Sequence, residues 1–280
     1  MITNEGKNQI KRYLAGYVPY VAGSLAIGIG SSTETLTEKT LQYEVARVDI
    51  QSVTYNFATN KLIFKGSLPN EFAGIIYEVG LFSSIASLPM IGSRVITNFD
   101  STLENWRNLD DTVSSYAVPN SRIGGDALLH TPAASATATA TLRNLTYDFS
   151  YNTAADKFSF AYANVNTNVS ANTVKFLTDS SNYYTFNIFV NNTVGYKIVN
   201  KTKAEAVATG SPSWAKITEI QVTTTATGGQ ADVEFDGIRV DNPNEYGLDN
   251  ILVSRKVLST PVATVAGQPQ DIEYSLDIAI

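Results

Sequence analysis

The stretch "VEFDGIRVDNPNEYGLDNILVSRKVLSTPV", residues 233–262, contains two strand-like segments on either side of a polar bridge. The first segment, "VEFDGIRV", alternates in polarity and ends in turn-forming residues, which is typical of a strand that closes a β-domain. After the bridge, "NILVSRKVL" begins a new strand only a short distance before the end of the sequence. So few residues cannot bury a hydrophobic core of their own. We therefore expect the last strands to belong to a domain that begins elsewhere in the chain.

The composition indicates a globular protein rich in β-structure. The chain has 280 residues, of which 44% are hydrophobic and 16% charged, with a formal net charge of −6. An acidic chain lacks the basic face that binds nucleic acid, and no apolar run is long enough to span a membrane. The N-terminus lacks the apolar segment of a secretory signal. Because there are no cysteines, disulfides, thiolate metal sites and cysteine nucleophiles are excluded.

The single histidine, His130, excludes a His-rich metal site and a helical H-E-x-x-H protease. It precedes the Thr/Ala-rich segment "TPAASATATATL", residues 131–142. We predict a solvated loop residue rather than a catalyst. Within that segment, the period of two in "ATATAT" favours a strand beneath other elements, with a disordered linker as the alternative.

One helix is predicted, in "TNEGKNQIKRYLAG", residues 3–16. Thr3 or Asn4 is the expected N-cap, and Gly16 is the expected end. The residues at i, i+3 and i+4 spacing that form its predicted apolar face are Ile10, Tyr13 and Leu14.

Strand-like runs follow the helix. We expect Gly28 and Gly30 in the first run to allow close backbone approach or a bend of the strand, since "GIGSST" lacks the lysine of a phosphate loop. Asn60 is expected in a hairpin loop after one long strand. The runs before residue 98 are "SLAIGIG" (24–30), "LQYEVARVDIQSVTYN" (41–56), "KLIFKGSL" (61–68), "IIYEVGLFSS" (75–84) and "MIGSRVIT" (90–97).

From about residue 98 the sequence becomes rich in turn formers, and alternating segments recur at nearly regular spacing up to residue 242. Many short alternating strands separated by turns are the signature of a β-sandwich. The fold class that we predict is mainly β: a small β-domain with one N-terminal helix, interrupted by an inserted β-sandwich.

The flanking regions resemble a family of tailed-bacteriophage virion structural proteins, most of which are tail, neck or capsid-associated components. The resemblance rests on ordered short motifs, which are "ITNEGKNQIKRYLAG", "AIGIGSS", "YEVARVDI", "LPNEFAGIIYEVGLFS" and "LVSRKVLSTPVATVAGQPQDIEYSLDI". It implies a short helix leading into a small β-domain, a location in the virion after assembly in the bacterial cytoplasm, and other virion proteins as partners.

Residues 98–242 are similar to carbohydrate-binding-module-type jelly rolls in "FDSTLENWRN", "GGDALLHT", "YYTFNIFVN" and "ADVEFDGIRVD". In that superfamily the first and last strands are adjacent, a geometry that makes insertion into a host loop easy. We therefore predict a discontinuous virion-anchoring domain, residues 1–97 plus 243–280, with residues 98–242 inserted as a jelly roll.

The resemblance to carbohydrate-binding modules also implies a structural calcium where the opening turn and the closing strand meet. Asp100 and Asp236 are the candidate ligands, with Glu104 or Asp241 as a further one. Calcium requires several oxygen ligands, which converging acidic turns supply. The alternative is that these aspartates only make turn hydrogen bonds. No other cofactor is expected.

Exposed aromatic rings are the second candidate site, since their flat faces suit sugar rings. The candidate glycan contacts are Tyr183, Tyr184 and Tyr196, with Trp106 and Trp214 as further aromatic residues. A position in the core or on a sheet surface is the alternative for all five. In an alternating strand only one of Tyr183 and Tyr184 can face outward.

Paired carboxylates are the remaining route to chemistry, and they are weak candidates. Asp110 and Asp111 are adjacent in a turn-rich segment, and Glu219 and Glu234 lie on predicted strands. Neither pair shows the spacing across a cleft that glycoside hydrolysis needs, and no G-x-S-x-G motif is present. We therefore expect no enzymatic activity.

Three functions remain open at this point. The first is a structural component of a tailed-phage particle that forms homo-oligomers and carries a jelly roll able to contact host-surface glycans. The second is a host-receptor adhesin or fibre for which glycan binding is the main role, and the third is a polysaccharide-degrading enzyme.

Overall fold

The computed structural model of the chain describes residues 1–70, 72–86, 94–99, 105–108, 114–116, 121–124, 126–242 and 250–277. The fold is mainly β, as predicted, with one α-helix in the described residues. The chain forms two compact units: Met1–Ile91 together with Pro243–Ile280, and Gly92–Asn242. We call them the split unit and the sandwich unit. Within the described residues, no helix has the length and apolarity needed to cross a membrane.

The elements in chain order are α1 (Asn4–Leu14), β1 (Ser24–Gly28), β2 (Glu44–Asp49), β3 (Ser52–Asn56), β4 (Lys61–Leu68), β5 (Gly74–Phe82), β6 (Arg94–Thr97), β7 (Arg107–Asn108), β8 (Ser114–Tyr116), β9 (Leu128–His130), β10 (Thr137–Tyr147), β11 (Lys157–Asn164), β12 (Val169–Asp179), β13 (Asn182–Asn187), β14 (Gly195–Thr202), a 3₁₀ turn (Lys203–Glu205), β15 (Val207–Thr209), β16 (Ile217–Ala226), β17 (Val233–Asp241), β18 (Leu252–Thr264) and β19 (Gln270–Asp277).

The split unit consists of two antiparallel sheets with strand orders β18-β5-β1-β2 and β19-β4-β3. Strands β18 and β19 follow the sandwich unit in the chain, yet they pair with β5 and β4, which precede it. Side chains from both sheets share one core that includes Leu25, Ile27, Phe64, Val253 and Tyr274. The last strands are therefore integral to this core, as the stretch at 233–262 indicates.

The run from residue 41 to residue 56 is two strands in different sheets, so the prediction of one long strand is wrong. Between β2 and β3, the backbone N–H of Ile50 donates to the carbonyl of Gly23 at 3.1 Å. The next N–H, of Gln51, donates to the carbonyl of Lys65 at 2.8 Å. Because Gly23 precedes β1 and Lys65 lies in β4, the chain passes from one sheet to the other at these two residues.

Helix α1 begins and ends as predicted, but it buries a different face. The Thr3 hydroxyl accepts a hydrogen bond from the N–H of Gly6 at 2.9 Å, and Gly16 after the helix has φ 76°. The buried helix residues are Gly6 and Gln9, whereas Leu14 is 76% exposed. A Cβ on Gly6 would lie 1.9 Å from the carbonyl oxygen of Val253. The face of α1 that contacts β18 is therefore determined by close backbone approach at Gly6, and not by a stripe of apolar side chains.

A buried ion pair joins β5 to β18. Glu78 and Arg255, whose side chains are 0% and 1% exposed, are linked by a hydrogen bond of 2.6 Å from Nε to Oε2. Oε1 of Glu78 also accepts from the N–H groups of Gly30 at 3.1 Å and Tyr43 at 2.9 Å. Every partner that Glu78 needs in the interior is thus supplied by the fold, which is the condition for a buried charge to be tolerated.

The two glycines of "GIG" make room for this carboxylate. A Cβ on Gly28 would lie 2.6 Å from Oε1 of Glu78, and one on Gly30 would lie 2.4 Å from the same atom. Both distances are shorter than a non-bonded contact allows. Close backbone approach is confirmed at Gly28, whose Cβ would also lie 2.3 Å from the carbonyl oxygen of Tyr43, whereas at Gly30 the close neighbours are side chains.

The sandwich unit packs two antiparallel sheets face to face, with strand orders β15-β13-β12-β16-β10-β7 and β14-β11-β17-β9-β8. We call them the β16 sheet and the β17 sheet. Their shared core is rich in aromatic rings, among them Phe158, Phe160, Phe176, Phe186 and Phe235. Several of these rings meet edge to face, as Phe158 and Phe176 do at 5.4 Å, an arrangement that their charge distribution favours.

Two segments near the start of the sandwich unit have definite places in its sheets. Strand β6 pairs with β17, so residues 94–97 lie in the sandwich unit rather than in the flanking domain. The "ATATAT" segment lies in β10, where Ala138 and Ala140 are both 0% exposed. The strand prediction is confirmed for this segment, and the disordered linker is excluded.

Candidate functional site

Strand β17 carries a row of charged residues that are buried although they lie on the side away from the hydrophobic core. Phe235, Ile238 and Val240 belong to the core cluster, and the charged residues of the strand alternate with them. The register with β11 shifts between Ala161 and Tyr162, opposite Asp236. An irregularity of this kind redirects a side chain and is common beside functional sites.

Asp236 is 1% exposed and has four hydrogen-bond donors around its carboxylate. The Ser121 hydroxyl donates to Oδ1 at 2.7 Å, and the N–H groups of Arg122 and Ile123 donate to Oδ2 at 2.8 Å and 3.2 Å. The Tyr196 hydroxyl also donates to Oδ2. Burial raises the pKa of Asp236 to about 7, although the four donors act to lower it.

A cation contacts the face of the Tyr196 ring. The Arg122 guanidinium lies over this ring, 4.1 Å from its centroid. Tyr196, which is half-buried on β14, is thus fixed through its hydroxyl by Asp236 and through its face by Arg122. We call Ser121, Arg122, Tyr196 and Asp236 the Tyr196 cluster. A fixed aromatic ring with charged groups beside it is suited to binding a polar, ring-shaped ligand.

A separate charged group lies at the end of β17. Asp241 accepts from Nε of Arg239 at 2.7 Å, and Nζ of Lys157 lies 3.2 Å from its other oxygen. Burial alone would raise the pKa of Asp241, but Arg239 and Lys157 hold it below its ordinary value. The partners of Asp241 are different from those of Asp236, so the two carboxylates do not form one site.

The predicted calcium site is only partly within the described residues, because Asp100 and Glu104 lie outside them. No group of three or more metal-binding side chains occurs in the parts of the chain that the structure describes. A carboxylate has about four lone-pair positions, and four donors already approach Asp236. A cation there would have to displace some of these hydrogen bonds. Calcium binding stays a prediction.

The three tyrosines predicted to contact glycans do not share one surface. Tyr183 and Tyr184 lie on β13 in the β16 sheet, whereas Tyr196 lies on β14 in the β17 sheet. The Tyr184 ring stacks on Trp214 with centroids 4.0 Å apart and packs against the core. Tyr183 faces the other way, with Nζ of Lys175 4.6 Å from its ring centroid. Only one of the adjacent tyrosines faces outward, as predicted.

Both tryptophans serve the core of the sandwich unit. Trp106 is 3% exposed and contacts Phe99, with ring centroids 5.7 Å apart. Trp214 is partly buried against the same core. The core alternative stated for these residues is therefore confirmed, and neither ring lies beside Tyr196 in the β17 sheet.

His130 is a buried strand residue, so the prediction of a solvated loop residue is wrong. It is 1% exposed on β9, its Nδ1 lies 3.1 Å from the Thr224 hydroxyl, and its ring meets Phe235 edge to face at 5.1 Å. Among the described residues, Nε2 has no hydrogen-bond partner. Burial lowers the pKa of His130 to about 3. The prediction was wrong because the polar segment after His130 indicated a loop, whereas His130 is the last residue of the buried strand β9.

The carboxylates considered for glycoside hydrolysis do not form a pair in the described residues. Glu219 lies on β16 beside the core residue Ile220, and Glu234 lies on β17 beside the core residue Phe235. The two side chains therefore point to opposite outer faces of the sandwich, whose sheets are separated by about 10 Å. Asp110 and Asp111 lie outside the described residues.

Ser121 and Arg122 were not identified from the sequence, although both belong to the Tyr196 cluster. They lie in a segment without hydrophobic periodicity, far from Asp236 in sequence. Their contacts with Asp236 join residues that are 115 and 114 positions apart in the chain, and no local pattern encodes such contacts. Asp236 itself was singled out only through the resemblance of "ADVEFDGIRVD" to the closing strand of carbohydrate-binding-module jelly rolls, where it was expected to be a calcium ligand.

The sequence matches no family model and no curated protein. Among solved structures, a family 11 carbohydrate-binding module from Clostridium thermocellum, in complex with a β-1,3-1,4-mixed-linked tetrasaccharide, is 12% identical, with a TM-score of 0.41 over 53% of this chain and 94% of that one. TmCBM61 in complex with β-1,4-galactotriose is 11% identical, with a TM-score of 0.38 over 54% and 99%. An exo-β-agarase is 12% identical, with a TM-score of 0.44 over 55% and 26%.

These neighbours are carbohydrate-binding modules and a carbohydrate-active enzyme, and none of the three is a virion protein. Their TM-scores all lie below 0.5, so they establish neither a common fold nor a common function. The sandwich unit is defined by its own strand pairing and its own core.

Proposed function

We propose that this protein is a structural component of a tailed-bacteriophage particle. The split unit is its virion-anchoring part, and it binds neighbouring virion proteins and further copies of the chain. The sandwich unit is carried on the particle by this anchor. The observation that carries the proposal is where two of the motifs that resemble virion structural proteins, "YEVGLFS" and "LVSRKVL", lie in the fold.

These motifs, residues 77–83 and 252–258, lie on the adjacent strands β5 and β18. Each contributes one member of the buried ion pair, Glu78 and Arg255. Groups that are at most 1% exposed cannot reach a substrate, so their role is to hold two distant parts of the chain together. The two motifs thus form the framework of the split unit, and their resemblance to virion structural proteins is what supports the proposed role.

The direct test is the composition of purified particles. Virions prepared from a phage that encodes this chain should contain it in a fixed ratio to the major capsid protein by mass spectrometry. Antibodies against the sandwich unit should label one defined part of the particle in electron micrographs. A non-structural protein from the same infection is the control for contamination. Absence of the chain from particles that contain their other structural proteins would contradict the proposal.

Glycan binding by the sandwich unit is the second candidate function, and the Tyr196 cluster favours it. The ring of Tyr196 is half-buried and rigidly held, so binding would not need to order it. The Arg122 guanidinium beside it supplies donors for sugar hydroxyls. Several copies on one particle would add weak individual contacts into tighter binding.

Affinity electrophoresis of the full chain against host-surface polysaccharides tests this second function. We expect Tyr196→Ala to weaken retardation about tenfold or more, because the ring is the proposed contact. Tyr183→Ala is the matched control, since that ring lies on the other sheet. Circular dichroism checks that both variants are folded. Equal loss in the two variants, or no binding by the parent chain, would count against a glycan site at Tyr196.

A further inference from the structure

Strand β3 is an edge strand without charge. In the described residues it pairs only with β4, so its other side presents unpaired backbone groups. Its residues are Ser52–Asn56, and the first four of them are exposed. Natural proteins protect such edges against other chains with charged side chains, proline or a bulge. None of these devices is present in β3.

The opposite edge of the same sheet is protected. Strand β19 pairs with β4 and exposes the carboxylates of Asp271, Glu273 and Asp277. Two β19 edges would repel each other through these acidic groups. The two edges of one sheet thus differ, and the contrast identifies β3 as the edge that is able to pair with a copy of itself.

The apolar face of this sheet continues past its covered part onto β3. Val53 lies opposite Phe64, which in turn lies opposite Tyr274. Phe64 is 2% exposed and Tyr274 is 3% exposed, but Val53 is 50% exposed. Tyr55, the next residue on this face, is 45% exposed. Strand β3 therefore extends the row of core side chains into solvent, where a further strand would cover it.

We propose that β3 pairs antiparallel with β3 of a second copy of this chain, about a two-fold axis at Thr54. In this register Val53 lies opposite Tyr55 of the second copy, Ser52 lies opposite Asn56, and Thr54 lies opposite its own counterpart. Pairs of an aromatic with a β-branched residue and pairs of two threonines are favourable across strands. No like charges meet, and the two three-stranded sheets become one sheet of six strands.

The exposed ring of Phe57 adds to the same contact. It follows β3 directly, is 85% exposed and meets Tyr55 edge to face at 4.8 Å. The Tyr55 hydroxyl donates to Oδ1 of Asn60 at 2.8 Å, which fixes the ring against the hairpin loop. Asn60 has φ 53°, as a tight hairpin loop requires. The apolar side chains at this edge are therefore ordered before a second copy binds.

The absence of cysteine from the sequence permits a direct test. Opposed residues in an antiparallel pair have Cα atoms about 4.5–5.5 Å apart, which is within the range of a disulfide. Thr54→Cys should therefore form a covalent dimer on mild oxidation, seen on a non-reducing gel. Tyr17→Cys is the matched control, because Tyr17 is 80% exposed in the same unit. Equal cross-linking of the two variants, or none in Thr54→Cys, would overturn the proposal.

Charge substitutions at the same position give a second, non-covalent test. Thr54→Lys and Thr54→Glu should each weaken self-association about tenfold or more in sedimentation velocity, because like charges then face each other. An equimolar mixture of the two should restore it, since lysine then faces glutamate. Tyr17→Lys should associate as the parent chain does. A parent chain that remains monomeric at every concentration, or a mixture that behaves like its components, would refute the pairing.

This inference rests on the assembly role proposed above, but its test is made with the purified chain. If the protein is present in virions while Thr54→Cys does not cross-link selectively, the β3 pairing is wrong and the virion role stands. If Thr54→Cys cross-links selectively while particles lack the protein, the pairing stands and the virion role is wrong.

Discussion

Asp236 and His130 are both buried in the sandwich unit, and burial moves their pKa values in opposite directions. The pKa of Asp236 rises to about 7, and that of His130 falls to about 3. In the unfolded chain their ordinary values are 3.8 and 6.5. For His130, stability is complete above pH 6.5 and is lost as the pH falls toward 3. For Asp236, stability is greatest below pH 3.8 and is lost as the pH rises toward 7.

The pH dependence of stability due to His130 and that due to Asp236 have opposite signs in the parent chain. We predict that a substitution of His130 leaves the pH dependence due to Asp236 visible. In His130→Gln no imidazole has to be buried uncharged. When the pH falls from 7.5 to 5, proton binding to His130 in the unfolded state lowers the stability of the parent chain. The variant lacks this loss, so its free energy of unfolding at pH 5, relative to pH 7.5, should be about 2 kcal/mol higher than that of the parent chain. Urea unfolding at the two pH values measures this. An identical pH dependence in the two proteins would show that His130 titrates normally in the folded state.

Tyr196→Phe should destabilise the chain more at high pH than at low pH. The lost hydroxyl donates to the carboxylate of Asp236, and hydrogen bonds to a charged acceptor are the stronger ones. We expect a loss of roughly 1–3 kcal/mol at pH 8.5 and a smaller loss at pH 5.5, where Asp236 is protonated. Tyr183→Phe, also measured by urea unfolding, should show no such difference. A loss independent of pH would separate Tyr196 from the titration of Asp236.

At the scale of elements, alternation in sequence predicted where strands lie, and the pairing of β18 with β5 agrees with the expectation that the last strands join a domain that begins earlier in the chain. The run "KLIFKGSL" coincides with β4, and the Thr/Ala-rich segment forms β10. The prediction was wrong where a strand break or a helix face depends on backbone contacts, because such contacts leave no side-chain pattern in the sequence. The long run that ends in β3 changes sheet through two hydrogen bonds, at Ile50 and Gln51. Helix α1 is placed by Gly6, which contributes nothing to an apolar stripe.

The candidate site was predictable only in part, for a related reason. Asp236 and Tyr196 were both singled out, but as members of two different sites, because the hydrogen bond between them joins neighbouring parts of a sheet rather than neighbours in sequence. Glu78 and Arg255 lie far apart in sequence within motifs that were recognised. No pattern in either motif indicates that the two charged side chains form an ion pair.

The pairing of β5 with β18 should depend strongly on this ion pair. Arg255→Met leaves the Glu78 carboxylate buried without its cation, and we expect a loss of about 3–5 kcal/mol in the free energy of unfolding. Combining it with Glu78→Gln should recover part of the loss, since no unpaired charge then remains. Denaturant unfolding of the single and double variants measures both effects.

The control for the ion-pair variants is Lys65→Ala, which breaks the exposed pair between Lys65 and Glu273 on β4 and β19. Exposed pairs contribute little to stability because water screens them, so this variant should unfold as the parent chain does. If Arg255→Met lowered the free energy of unfolding as little as Lys65→Ala does, the pairing of β18 with β5 would not depend on the buried ion pair.

For the whole molecule, the division into units predicts the outcome of cutting the chain. We expect specific protease sites inserted after Ile91 and after Asn242 to release a folded sandwich unit on cleavage. Residues 1–91 and 243–280 should remain together on size-exclusion chromatography, because β18 and β19 complete sheets with β5 and β4. They should separate only in denaturant. Two end fragments that part under native conditions, beside an intact sandwich unit, would contradict the split unit.

The split unit also has a consequence for how the chain is made. A ribosome that has produced β1 to β5 must translate the whole sandwich unit before it reaches β18 and β19, which takes on the order of ten seconds. During that time the newly made half has Phe64 and Leu81 without the strands that later cover them. The sandwich unit can fold during this delay, but the split unit cannot. We therefore expect chaperone binding to the nascent chain to be strongest after β5 has been synthesised and before β18 and β19 have been.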